Sequence, residues 1–232
     1  MRYSEPKIIL ISDSAFSIEL ANSISKEAFN AVSALVDRID QFYSTSIVDI
    51  IPSYCSVVVE YDPLQASAKE MKALLAFLAH DLDDGPRKCR HLIEIPVCYG
   101  SGFGPDIDEV AARCGLDIEE LIYLHSDPEY QVYAMGFSPG FPYLAGMDPR
   151  IAVPRLAIPR TSVKAGSVGI AGDQTGIYPM QTPGGWQLIG RTPLTLFDPF
   201  QAEPFVLSIG DAVRFIPIDE NSFAELAGEH SD

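Results

Sequence analysis

The residues best suited to recognising a small charged molecule crowd into one stretch of the chain. Between Arg150 and Arg191 stand Arg150, Arg155, Arg160, Lys164 and Arg191 against a single acid, Asp173, in a 232-residue chain whose net charge is −16. Guanidinium forks match carboxylate and phosphate oxygens, and a local group of cations focuses positive potential where the rest of the surface repels anions. The chemistry indicated is binding of an anionic small ligand. The alternative is that each arginine pairs with an acid elsewhere, the commoner fate of a surface arginine. The same stretch holds Gly166, Gly169, Gly172, Gly176, Gly184, Gly185 and Gly190, and threads among them Gln174, Thr175, Tyr178, Gln181, Thr182, Trp186, Gln187 and Thr192. Glycine lets backbone approach a ligand, but barrel corners also require it. The hydroxyls, amides and indole supply donors, acceptors and an aromatic face, a mixture that suits a pocket better than a core.

Other chemistries find little footing. Gly166-Ser-Val-Gly-Ile-Ala-Gly172 lacks the Gly-Lys-Ser/Thr ending that sets a lysine on nucleotide phosphates. In Ser138-Pro-Gly-Phe-Pro142 prolines replace the glycine pattern that exposes a serine nucleophile. His125 ends a short helical pattern, where it either complements the negative end of the helix dipole or serves as an acid or base in a cleft. His80, His91 and His230 read as solvated or structural. The four cysteines show no CxxC spacing, so neither a zinc site nor a disulfide framework is signalled. The acidic balance argues against nucleic acid and anionic membranes as partners. No apolar run reaches the roughly 18 residues of a membrane span, and the start of the chain lacks a signal-type segment. The expectation is a protein of the cytoplasm.

These residues need elements to hold them. Ile8 to Ile11 and Phe16 to Leu20 read as strands, and Ser25 caps a helix with Ala28, Val32, Leu35, Val36, Ile39 and Phe42 on one face. Ile47 to Ile51 and Tyr54 to Tyr61 form a hairpin. Ser67-Ala-Lys-Glu70 is a capping box opening a helix that carries Met71, Leu74, Leu75, Leu78 and Leu82. With Ile93, Ile95, Val97 and Tyr99 alternating as a further strand, the N-terminal part fits a small ferredoxin-like α/β sandwich of the split βαβ type. The polar stretch from Asp83 to Arg90 marks a boundary between domains 1–90 and 91–232. Asp106-x-x-Glu109 and Asp117-x-x-Glu120 each open a short helix by capping logic. From Glu129 onward Tyr130 to Met135, Val168 to Ala171, Trp186 to Ile189, Leu194 to Phe197 and Ala212 to Ile216 alternate with Gly/Pro turns, and an all-β barrel closes them. The fold class expected is α+β.

Several separated strings are distinctive: Gly136-Phe-Ser-Pro-Gly-Phe-Pro-Tyr-Leu-Ala-Gly146, Pro159-Arg-Thr, Ala165-Gly-Ser-Val-Gly-Ile-Ala-Gly172, Gln174-Thr-Gly-Ile-Tyr-Pro179, and Pro183-Gly-Gly-Trp through Gly190-Arg-Thr-Pro193. Together with Ile95-Pro-Val-Cys-Tyr-Gly100 and Phe103-Gly-Pro-Asp106, they resemble the family of the 5-oxoprolinase B subunit, KipI and allophanate hydrolase subunit 1 over nearly the whole chain. That resemblance implies that the barrel is cyclophilin-like and that a second, KipA-like subunit (the 5-oxoprolinase C subunit, or allophanate hydrolase subunit 2) completes the active centre. It implies ATP-dependent opening of 5-oxo-L-proline to L-glutamate, with ATP as co-substrate. Two other functions follow from the same kinship: a KipI-type inhibitor that binds a sensor histidine kinase, or a subunit acting on allophanate or another urea-derived amide. Carried over by position, the expected binding residues are Arg160, Gln174, Thr175, Tyr178, Trp186, Arg191 and Thr192, with His125 the catalytic candidate.

Overall fold

A computed structural model describes residues 2–42, 45–82, 85, 91–100 and 102–229. The chain divides into two compact units, Met1–Lys88 and Cys89–Asp232.

The first unit is an antiparallel sheet covered by two helices. Strands β1 (Arg2–Ser12), β2 (Ala15–Ala21), β3 (Ile47–Pro52) and β4 (Ser56–Tyr61) lie in the order β1-β2-β4-β3. Helix α1 (Lys26–Phe42) starts where the Ser25 hydroxyl oxygen accepts the Ala28 N–H at 3.2 Å, and it buries Ala28, Val32, Leu35 and Ile39. Phe42, at the end of the same periodic face, stays exposed. Helix α2 (Ala68–Leu78) has the full capping box: Ser67 Oγ accepts from Glu70 N–H, and the Glu70 carboxylate accepts from Ser67 N–H at 2.9 Å. The helix stops at Leu78, short of the Leu82 that its periodicity includes, and Asp81 takes a positive φ of 48°. There the Arg38 guanidinium donates to the carbonyls of Leu78, His80 and Asp81, satisfying acceptors that a helix end leaves open. The apolar faces of α1 and α2 meet Phe16, Ile18, Val57 and Val59 of the sheet in one core.

The second unit carries the barrel. Strand β5 (Leu92–Tyr99) is followed by helices α3 (Ile107–Cys114) and α4 (Ile118–Ser126), then β6 (Tyr130–Met135), β7 (Pro142–Ala145), β8 (Arg160–Val163), β9 (Ser167–Ala171), β10 (Gln174–Ile177), β11 (Thr182–Gly184), β12 (Gln187–Arg191), β13 (Ala212–Ile218) and helix α5 (Glu220–Glu229). Seven strands close in the order β10-β7-β6-β13-β5-β12-β9, while β8 and β11 pair as a separate two-stranded ribbon. The α+β class and the closed barrel agree with the sequence reading. Strand β5 is a correction: it pairs in parallel with β13 and antiparallel with β12, so it closes the barrel and takes no part in the N-terminal sheet. Alternation identifies a strand without identifying its partner, and this partner lies over a hundred residues on.

Leu194 to Phe197 also differs from expectation. Pro193 and Pro199 flank it, each lacking the N–H a ladder needs, and only an isolated bridge between Phe197 and Phe205 forms. The interior of the barrel is filled by Val97, Val132, Leu144, Ile170, Ile177, Ile189 and Phe215, among others. Among the described residues no helix is long and apolar enough to cross a membrane.

Candidate functional site

A hydrogen-bonded chain runs through the barrel interior. The His125 side chain is fully buried, with Nδ1 2.8 Å from the Tyr99 hydroxyl and Nε2 2.9 Å from Thr175 Oγ1. Thr175 gives its one hydroxyl proton to the Gly169 carbonyl at 3.0 Å, so Nε2 must donate to Thr175 and Nδ1 must accept from Tyr99. The imidazole stacks on Phe215 with ring centroids 4.6 Å apart, and burial drives its pKa down to about 3. His125 is therefore a neutral, fully engaged group, which ties α4 to β5, β10 and β9. The catalytic candidate of the sequence thus sits, in this chain alone, in the barrel interior with both ring nitrogens hydrogen-bonded. Thr175, likewise buried, belongs to the same internal chain.

Arg160 opens the ribbon strand β8, and its Nη2 pairs with the carboxylate of Asp106. The other Asp106 oxygen accepts the Leu188 N–H at 2.6 Å, so one buried carboxylate joins the ribbon, β12 and the start of α3. Asp106 stands at the residue before α3 but makes no side-chain cap, whereas Asp117 does cap α4 by accepting from the Glu120 N–H at 2.7 Å. The capping logic thus holds for one of the two motifs, because at the other the arginine outcompetes the helix for the carboxylate.

Tyr178 and Trp186 come together beneath the ribbon. The Trp186 backbone N–H bonds to the Tyr178 hydroxyl, and both rings pack edge-on against Phe141, at centroid separations of 5.2 and 5.4 Å. A Cβ added at Gly184 would collide with the Tyr178 hydroxyl, so this glycine is fixed by a close approach of ring to backbone. Outside this layer the Arg155 guanidinium lies 5.9 Å over the Trp186 ring, a cation–π distance. Asp106, Tyr99 and Phe141 are not among the site residues expected from the sequence, and Arg155 enters there only as one of the cations of 150–191. The signal for Asp106 is its place in the Phe103-Gly-Pro-Asp106 string, which capping logic absorbs.

Arg191 and Thr192 sit apart from that cluster. Arg191 Nε donates to the Ala165 carbonyl at 2.8 Å, and its guanidinium lies 5.7 Å over Phe223 of α5. Thr192 is buried, with its hydroxyl oxygen accepting the Leu194 N–H, and it serves the turn. Gln174 is half-buried at the start of β10. The cationic stretch is accordingly divided: Arg150 pairs with Asp148 and Arg160 with Asp106, while Arg155, Lys164 and Arg191 have no acidic partner among the described residues. A Cβ at Gly166 would strike the Thr192 carbonyl and one at Gly169 would press on Trp186, so these two glycines serve close packing, whereas Gly172 has open space around it and a positive φ of 64°.

Residues 6–207 match the family described as the carboxyltransferase domain, subdomain C and D. The chain is 42% identical over 227 residues to the 5-oxoprolinase B subunit of Bacillus subtilis, covering 92% of this chain and 93% of that protein. It is 41% identical over 212 residues to the 5-oxoprolinase B subunit of Escherichia coli O157:H7, covering 91% and 95%. A urea amidolyase of Lachancea kluyveri is 35% identical over 225 residues, which are 82% of this chain and 12% of that enzyme. Among solved structures, TTHA0988 superposes with a TM-score of 0.77 at 38% identity over 88% of this chain, which spans 40% of that longer chain. The Kluyveromyces lactis urea carboxylase superposes with a TM-score of 0.79 at 18% identity over 99% of this chain and 24% of that one, a likeness of fold alone.

Proposed function

The chain belongs to the carboxyltransferase subdomain C and D family, together with proteins named as the B subunit of 5-oxoprolinase, and from that premise we propose that it is one subunit of a 5-oxoprolinase that opens 5-oxo-L-proline to L-glutamate in an ATP-dependent reaction. The observation that carries this reading is identity above 40% over more than nine-tenths of the chain and of each relative.

A lactam amide is a poor electrophile; transfer of the terminal phosphoryl group of ATP to its oxygen activates the ring carbon, water adds there, the C–N bond breaks with the ring nitrogen leaving as the amine, and a second water hydrolyses the resulting acyl phosphate to glutamate and inorganic phosphate. We assign the nucleotide to a KipA-like companion subunit. What this chain offers is recognition of a small carboxylate. Arg160 is partly exposed, oriented by Asp106 and bonded to the Trp186 carbonyl at 3.4 Å, so the buried Trp186, Tyr178 and Phe141 rings support it from within, while Arg191, apart from that cluster, and Gln174 are also partly exposed. His125 and Thr175 act from behind this surface by fixing β10 and β9. An ATP-dependent reaction on a free carboxylate fits a complex that works in the cytoplasm.

The test is reconstitution. This chain and its companion, purified separately and together, are assayed for glutamate formed from 5-oxoproline with ATP. Turnover should require both. A well-formed complex inert toward 5-oxoproline but active on allophanate would move the assignment to the urea-derived amides, as in the urea amidolyase relative.

A further inference from the structure

Among the described residues only two non-glycine residues hold a positive φ, and one is Phe137 at +67°. The left-handed region costs an ordinary residue roughly 1–2 kcal/mol. A phenylalanine placed there would be expected to recover the cost by burying its ring, yet the Phe137 ring is 63% exposed. The strain is held by the loop between β6 and β7, where the Gly136 N–H donates to the Phe141 carbonyl and the Phe141 N–H to the Ser138 carbonyl, each at 3.1 Å. Inside that loop Ser138 Oγ is sealed from solvent with no hydrogen-bond partner among the described residues. A bulky ring is thus presented to solvent by a rigid, strained loop.

The ring stands beside a packed aromatic floor. Phe137 meets Phe141 edge-on at 5.6 Å and Tyr178 at 6.3 Å, and Phe141 leads to Trp186. On the far side of Trp186 lies exposed Arg155, with no acidic partner among the described residues of a chain that has 32 acids and 16 lysines and arginines. The Leu156 N–H bonds the Gly185 carbonyl at 2.7 Å, which lays this segment along Trp186, and Ile158 projects from it 84% exposed. Exposed phenyl, guanidinium and aliphatic groups around a buried aromatic floor are the composition of a protein-binding hot spot.

We infer that Phe137, Arg155 and Ile158 form the rim on which the companion subunit docks, its matching face providing an apolar socket for the phenyl ring and a carboxylate for the guanidinium. The unfilled charge at Arg155 calls for an acidic partner, and in TTHA0988 this fold occupies 40% of a longer chain, so a large protein neighbour accompanies the fold in that relative. The inference rests on the reading of the chain as one subunit of a complex.

The decisive variant is Phe137→Gly. Glycine adopts φ +67° freely, so this chain should melt at or above the wild-type temperature while its affinity for the purified KipA-like companion, measured by calorimetry, falls about tenfold or more. Arg155→Glu should weaken binding by a similar factor, and Phe200→Ser, at an exposed ring outside the cluster, should not change it. Wild-type affinity in both rim variants would overturn the docking site and leave the enzymatic reading intact if the complex still turns over 5-oxoproline. Unchanged affinity with a raised KM would assign the rim to substrate instead. Failure of the wild-type chain to bind the companion at all would defeat the reading beneath.

Discussion

His125 is held neutral by its burial, and that has a consequence for the pH dependence of stability. Its pKa is depressed to about 3 in the folded chain, against an ordinary value near 6.5 when unfolded. Between those values the unfolded state binds the extra proton, so stability falls as pH falls below about 6.5, by about 2 kcal/mol at pH 5 from this one group. Denaturant unfolding at pH 7 and pH 5 should show that loss, and His125→Gln, which keeps a donor and an acceptor in place, should remove most of the difference. A second expectation concerns Asp106→Asn. It leaves Arg160 without its charge partner, which should destabilise the barrel by about 2–3 kcal/mol. In the complex it should raise the KM for 5-oxoproline more than it lowers kcat. Neither role is legible in sequence. The partners of His125 lie 26 and 50 residues away, and those of Asp106 lie 54 and 82 away. The sequence does show the cationic and polar character of 150–191, but not that Arg150 and Arg160 are already neutralised while Arg155 and Arg191 are not.

At the scale of elements, what is local is legible. Ser67 and Glu70 form the capping box that their spacing implies, and Ser25 starts α1. Ser67→Ala should therefore cost about 1 kcal/mol in the unfolding of the first unit, read from a chemical denaturation midpoint at unchanged slope. Strands of four residues such as β7 and β10 escape periodicity because Gly146, Gly172 and Pro142 leave too little alternation to count. Their existence is decided by barrel closure, a property of partners and not of windows. The same holds for β5, whose alternation is plain and whose pairing with β13 is not.

At the scale of the whole molecule, this is an acidic chain of two units whose relatives are named as the B subunit of 5-oxoprolinase. From the sequence strings that mark the family, 136–146 and 159–193, Phe141, Val163, Ala171, Tyr178, Trp186 and Leu188 pack into one buried cluster of the barrel unit. The most direct test is a titration: the companion is held at fixed concentration with ATP and 5-oxoproline, this chain is added in steps, and glutamate is measured. The account predicts no product without this chain and a rate that rises to a plateau at equimolar amounts, and a companion whose rate is indifferent to this chain would contradict it.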